Sequence, residues 1–368
     1  MTAHLIEPEL PAVSGGSRYN AFVLAELPEL TAHRVRGDWP EPGPAARRTV
    51  VELVAEAEGP VLLDSLVGCS VPEAFAGRRR WPLVLLMHMP QAAAAPAEDR
   101  ERVAARERIC VAGADAVIAT SSWAARDLTA RYGRRDVVVA PPGVRPRPAA
   151  ARRDGRDLIA VGAISPVKNQ LLLVEALARL QDDDWQLRIA GPVADGEYAD
   201  RLRGRIASVI EPGRIALLGE LDGGRIDDLY DTAELLLLPS RFETYGLVVA
   251  EAGAAGIPAF VSTGTGAVEA LGSPAAGCTF DPRDAPAWRA GIRRWLRDGD
   301  WRAELRDIAG RRRGTLPSWA ATAQVISDTL TSPGRPQLSG VDPSDSPGVA
   351  ARAAAEKTNS VHTSAPKT

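Results

Sequence analysis

The chain contains no uninterrupted run of the roughly 18 apolar residues that a membrane-spanning helix needs, so nothing in it is expected to cross a bilayer. Its three cysteines, Cys69, Cys110 and Cys278, are scattered and make no CxxC pair. That argues against a disulfide framework or a zinc knuckle and fits a reducing compartment. The start, Met1-Thr2-Ala3-His4-Leu5-Ile6-Glu7, has neither the basic residues nor the apolar core of a signal peptide. Secretion is therefore not expected, and a cytoplasmic location is. Charge of one sign is lacking too: a net charge of −3 gives no electrostatic case for a nucleic-acid partner. The local basic runs, Arg78-Arg79-Arg80 and Arg311-Arg312-Arg313, have no interleaved aromatics. They read as solvated faces, with room for a weak peripheral contact with anionic lipid.

What is present is a soluble globular composition, 45% apolar and 25% charged over 368 residues. That length exceeds one ordinary core and favours two domains. Short apolar runs alternate with longer amphipathic stretches. Strands are expected at Val61–Leu63, Leu83–His88, Ala116–Ala119 and Val137–Ala140 in the first half. In the second half they are expected at Leu158–Val161, Gln186–Ala190, Ile215–Leu218, Leu235–Leu238, Ala259–Val261 and Cys278–Phe280. Helical stretches separate them, among them Glu98–Ala112, Lys168–Leu180, Asp195–Ile210, Arg225–Thr232 and Ala285–Asp298. Such alternation predicts an α/β fold with parallel sheets covered on both faces.

The halves meet at the Pro-rich phrase Pro141-Pro142-Gly143-Val144-Arg145-Pro146-Arg147-Pro148 and the polar stretch after it. The expected organisation is a first domain over 1–145, a linker over 146–156 and a second domain over 157–331. The helical stretch Ser318–Leu330 is expected to pack last and to cross back to the first domain. From Ser332 the composition turns to Pro, Ser, Gly, Thr and Ala without periodicity, so 332–368 reads as a disordered tail.

The residues that carry chemistry cluster at strand ends. Leu235–Leu238, apolar and closed by Pro239, reads as a buried parallel strand. A helix is expected to open near Gly246, and its first turn presents unpaired N–H groups and a positive dipole end suited to a phosphate. Glu243 and Glu251 flank that turn. Two carboxylates would repel a bare anion, so they point to sugar or ribose hydroxyls. At eight residues apart they would sit about 12 Å from one another if helical throughout, too far for one acid–base dyad. Gly162 follows a strand, and Lys168 sits where an ammonium can neutralise a departing diphosphate. At a helix start the dipole disfavours a lysine, which favours function over a surface role. Near the N-terminus Gly15-Gly16 precedes a helical stretch and can touch a phosphate or sugar through its amides, although most such pairs are ordinary turns. His88 ends an apolar strand on the ligand-binding edge; taken alone, it reads first as a satisfied structural histidine.

Taken together, these phrases make residues 157–271 resemble the second domain of the family 4 glycosyltransferases. The matching residues are Val161-Gly162 with Lys168, Leu218-Gly219-Glu220-Leu221, Leu229-Tyr230 and Leu238-Pro239-Ser240-Arg241-Phe242-Glu243. Gly246-Leu247, Glu251-Ala252 and Gly256-Ile257-Pro258 complete the set. A looser likeness covers the first domain through Gly15-Gly16, Leu86-Met87-His88, Ala116–Ser122 and Pro141-Pro142-Gly143-Val144. The resemblance implies the GT-B arrangement, two Rossmann-like domains facing across a cleft. It also implies retaining transfer of a sugar from a nucleotide-sugar donor to an unidentified acceptor, with no cofactor and no catalytic metal.

Carried over by position, Lys168 would hold the diphosphate and Glu251 the ribose. Glu243 and the amides of Tyr245, Gly246, Leu247 and Val248 would contact the donor sugar and phosphates. Gly16 would add an amide near the diphosphate, and His88 would sit beside the reacting sugar. One departure stands out: the arginine that usually follows the glycine of the first second-domain loop is here Ala163. Charge stabilisation then falls to Lys168 and helix amides, or to an arginine from elsewhere such as Arg18, or activity is reduced. Two rival readings are a GT-B nucleotide-sugar epimerase and a degenerate, non-catalytic nucleotide-binding module. Asp182-Asp183-Asp184 resembles the metal-binding carboxylates of another glycosyltransferase fold, but its place before a strand puts it at the wrong end of the sheet.

Overall fold

A strand buried on both faces must be apolar throughout, and Leu235–Leu238 is fully buried along its length. The computed structural model describes residues 2–77, 79–151, 154–272 and 275–333, within a unit spanning Met1–Arg335. Two six-stranded parallel sheets organise it. The first holds β1 (Ala3–Pro8), β2 (Leu30–Val35), β3 (Val61–Asp64), β4 (Leu83–Met87), β5 (Ala116–Ala119) and β6 (Val137–Val139), in the order β2-β1-β3-β4-β5-β6. The second holds β7 (Asp157–Val161), β8 (Gln186–Ala190), β9 (Ile215–Gly219), β10 (Leu235–Leu238), β11 (Ala259–Ser262) and β12 (Gly277–Phe280), in the order β12-β11-β10-β7-β8-β9.

Each order reverses once, between β1 and β3 in the first sheet and between β7 and β10 in the second. Beyond the carboxyl ends of the strands at such a reversal, the loops diverge and leave a crevice where α/β sheets bind ligands. Gly16 follows β1, His88 follows β4, Lys168 follows β7 and Glu243 follows β10.

β1 and β2 have no counterpart among the sequence expectations. β1 is interrupted by His4, Glu7 and Pro8, and β2 is an edge strand whose middle residues are largely solvent-facing. Neither shows the apolar run that marks a central strand. The helices Pro44–Ala55 and Gly299–Arg312 are likewise additional to those expected.

The Pro-rich connector lies against the second half. Ala150 N–H donates to the Ala255 carbonyl at 2.9 Å, and Arg313 donates to the Arg147 carbonyl at 2.6 Å. Within the linker expected at 146–156, residues 152–153 lie outside the described residues, as does Arg78 of the first basic run. Of the tail expected at 332–368, only Ser332 and Pro333 are described.

The final helix, Trp319–Thr331, crosses back to the first half. It buries Trp319, Ala323, Ile326 and Leu330 in one cluster with Leu5, Tyr19, Val23 and Leu86. Trp319 stacks on Phe22 with 4.6 Å between ring centres. Among the described residues, no helix is long and apolar enough to cross a membrane.

One buried acid in the first half makes stability pH-dependent. Glu107, on the helix Arg100–Gly113, is fully buried; its Oε2 accepts the Ala92 N–H at 2.8 Å, while Oε1 has no partner. Burial pushes its carboxyl up to about 7 against the opposing pull of the Ala92 amide. Between the usual glutamate range, about 4.3, and that value, the unfolded chain has lost the proton that the folded chain keeps. Stability therefore falls as pH rises through this window. Glu107→Gln is expected to gain roughly 1–3 kcal/mol over the unaltered protein near pH 8 and nothing near pH 4. Urea midpoints measured across that range check the slope.

Candidate functional site

The loops after β7 and β10 are stitched together by backbone groups. Asn169 sits in the left-handed region at φ 60°, which asparagine tolerates better than most residues. Its side-chain amide donates to the carbonyls of Pro239 at 3.2 Å and Pro282 at 2.9 Å. Arg241 N–H donates to the Val167 carbonyl at 2.8 Å. Lys168 is thereby carried to the end of β10, where its ammonium pairs with Glu243. Ser240 Oγ donates to the same carboxylate oxygen at 3.1 Å. Gly162 lies beside the lysine stem: a Cβ built there would rest about 3.5 Å from its methylenes.

Gly246, at φ 84°, turns the chain into the helix Leu247–Ala254. The turn is anchored by Gly266 N–H donating to the Glu243 carbonyl at 2.8 Å. Tyr245 is buried beneath the turn, and Leu247 packs against the cluster of the first half. Glu251 lies one turn into the helix. Tyr230, itself fully buried, donates its hydroxyl to Glu251 Oε2 at 2.9 Å; burial first, then this carboxylate, push the phenol up. The other oxygen of Glu251 pairs with Arg18 from the first half.

On the first half, Ser14 and Ser17 form a capping box for the helix Gly15–Glu26. A Cβ at Gly16 would stand 3.2 Å from the His88 ring, so glycine lets the helix start lie close against the imidazole. His88 Nε2 is 2.9 Å from Asn20 Oδ1 and 3.3 Å from Asp64 Oδ2. Both are acceptors, so Nε2 carries a proton and the ring is fixed by what lies behind it. Asn20 in turn donates to Asp64 Oδ2 at 2.9 Å and to Glu7 Oε2 at 3.0 Å. Arg34 completes the chain on Glu7 at 2.9 Å. Burial raises Asp64, but His88, the Leu66 amide and Asn20 outweigh it and hold the carboxyl below its usual range.

Two further contacts join the halves. Glu269 accepts the N–H groups of Ser122 at 3.0 Å and Trp123 at 3.1 Å, occupying the start of the helix Ser122–Tyr132. Trp123 also donates its indole N–H to the Gly264 carbonyl at 3.1 Å and meets Phe242 edge to face.

The residues singled out in the sequence thus fall into three groups: Lys168, Glu243 and Gly162; Glu251 with Arg18; and His88 with Gly16. Among the described residues, no hydrogen bond or ion pair joins His88 to Lys168, Glu243 or Glu251. Tyr230, Ser240, Asn169, Asn20 and Asp64 were not assigned roles from sequence. Their contacts span up to 113 residues of chain, which local spacing does not reveal. One signal was available: Lys168 is the only lysine before Lys357, among 44 lysines and arginines in the chain. An ammonium kept where arginine is the rule suits a compact point charge. Asp183 and Asp184, near the amino end of β8, pair with Arg297 and Arg156.

Comparison with known proteins follows the same division. Residues 22–147 match the family described as Glycosyltransferase Family 4, and residues 146–312 match Glycosyl transferases group 1. A D-inositol 3-phosphate glycosyltransferase of Geodermatophilus obscurus is 33% identical over 64% of this chain and 56% of that protein. That of Nocardia farcinica is 31% identical over 69% of this chain and 62% of that protein. The chain therefore spans somewhat under two thirds of the length of these relatives. Among solved structures, sucrose-phosphate synthase from Thermosynechococcus elongatus superposes with a TM-score of 0.76 at 19% identity, covering 90% of this chain and 98% of that one. Anabaena HepE, crystallised with UDP and glucose, gives 0.73 at 18% identity, covering 90% of this chain and 100% of that one.

The polar chain behind His88 yields a direct test. Asn20→Asp would put a third carboxylate between Glu7 and Asp64 and remove the amide that donates to both. A loss of about 3–5 kcal/mol is expected near pH 8, shrinking near pH 5 as one of the three takes up a proton. Urea unfolding of the variant at both pH values checks it.

Proposed function

Because the chain belongs to the family 4 glycosyltransferases and has their GT-B fold, we propose that it transfers a sugar from a nucleotide-sugar donor to an acceptor hydroxyl, retaining the anomeric configuration. The observation that carries this reading is the Lys168–Glu243 pair beside the Gly246-capped helix, at the reversal point between β7 and β10. Cation, amides and carboxylates stand together there, as a sugar diphosphate requires.

In this reading Lys168 and the amides of Tyr245, Gly246, Leu247 and Val248 receive the diphosphate, and Glu251 takes the ribose hydroxyls. Glu243 orients Lys168 and meets the donor sugar. Gly16 lends an amide near the phosphates. The bond from the sugar to the phosphate oxygen breaks as the acceptor oxygen bonds to the same face. The acceptor proton passes to the departing diphosphate, whose charge is met by these donors without recourse to a metal. His88, its ring fixed through Nε2, presents its other edge to the reacting sugar.

The acceptor is a glycan, a glycolipid or a small metabolite. Relatives named for D-inositol 3-phosphate make a phosphorylated cyclitol the first to try. Work in the cytoplasm fits this reading.

The epimerase alternative needs an acid–base pair at His88. Asp64 does reach that ring, but it is buried beneath Asn20 and the Leu66 amide, which suits orienting the ring rather than meeting substrate. A binding module without turnover is separated by assay. UDP, GDP and ADP, with their glucose or mannose conjugates, are screened by thermal shift. One nucleotide is expected to raise the melting temperature by several degrees at saturation. Donor consumption in the presence of acceptor should fall at least a hundredfold in Lys168→Ala and in Glu251→Ala. Failure of every nucleotide to stabilise the fold would overturn the donor site; binding without turnover over a broad acceptor panel would favour the module.

A further inference from the structure

The site contains two cation–carboxylate pairs that balance each other. Lys168 holds Glu243 within the second half, and Arg18 holds Glu251 across to the first. A sugar nucleotide brings the reverse complement, with anionic phosphates for the cations and neutral hydroxyls for the carboxylates. Lys168 alone would leave much of a diphosphate's charge unmet, and Ala163, in the loop after β7, has no charge to add.

Arg18 is placed to supply it. It sits in the first turn of the helix Gly15–Glu26, one intervening residue beyond Gly15-Gly16, where the helix dipole disfavours a cation and favours an anion. Its side chain remains 34% exposed while Glu251 is 12% exposed, so the guanidinium can leave a carboxylate that stays behind. Glu251 is steadied in its place by Tyr230. Released from Glu251, Arg18 would join the helix start in facing the same anion. A guanidinium can then clasp phosphate oxygens in pairs, which an ammonium cannot.

We propose that Arg18 is a second diphosphate-binding residue, held on Glu251 in the empty site and exchanged onto the phosphates as the ribose takes its place on the carboxylate. The inference rests on the donor-site reading above. It makes the bound nucleotide itself the bridge between the halves that the Arg18–Glu251 pair forms in its absence.

Titration calorimetry with UDP, GDP and ADP identifies the nucleotide that the unaltered protein binds. That nucleotide is then titrated into Arg18→Gln, Glu251→Gln, the double variant and Lys168→Gln, with melting curves confirming that each is folded. Arg18→Gln is expected to bind at least tenfold more weakly, and to do so again when added to Glu251→Gln. In that background the pairing role is already gone, so the second loss must come from the phosphates. Equal or tighter binding by Arg18→Gln would overturn the proposal, leaving Arg18 a competitor for Glu251. A loss that disappears in the Glu251→Gln background would overturn it too, leaving Arg18 a strut. If Lys168→Gln weakens binding while Arg18→Gln does not, the donor site stands and only Arg18 falls. If the unaltered protein binds none of the three, both readings fall.

Discussion

Lys168 and Glu243 hold each other across the gap between β7 and β10, and much of the site depends on that tie. Parallel strands send their loops apart at this point, and a loop carrying a lone ammonium would have no preferred place in the opening. Asn169, bent into the left-handed region and hydrogen-bonded to the chain after β10, removes that freedom. Ser240 then settles the carboxylate. The result is a cation presented from a stiff base while its own charge is masked. Two opposite charges at a half-buried site contribute little net stability once desolvation is counted. Their value lies in keeping the groups aimed and separable.

The first half uses buried polarity differently. Glu7, Asn20 and Asp64 lie beneath His88 and are closed off from solvent. Each of the three finds a partner, so the network carries little of the penalty of an unpaired buried group. Its effect is to fix which ring nitrogen is protonated and which edge of the imidazole faces outward. Glu107 shows the contrary case in the same half, with one oxygen unpartnered and its proton retained to about pH 7.

How much of this could be read from residues alone differs between the halves. The Leu235–Leu238 run, the glycine before Leu247 and the spacing from Glu243 to Glu251 announce the second half's strand, turn and helix because those features are local. β1 and β2 escape notice because His4, Glu7 and the exposed middle of β2 interrupt the apolar pattern. Sheet order is not local at all. No spacing reveals that β10 lies beside β7, and that adjacency is what brings Lys168 to Glu243. The Arg18–Glu251 pair joins positions 233 residues apart, so sequence could nominate Arg18 as a source of charge without finding its partner. Asn20 and Asp64 look like ordinary helix and strand-end residues until the fold sets them behind His88.

The last helix constrains how the molecule can be divided into modules. Trp319, Ala323, Ile326 and Leu330 belong to the core of the first half although the chain reaches them only after finishing the second. A chimera made by cutting once in the Pro-rich connector would strand that core without its cover and leave an apolar helix on the wrong partner. Recombining the first half with a foreign second half therefore requires two crossovers, one before β7 and one near Ser318. The polypeptide is interchangeable only as a clasp closed at both ends.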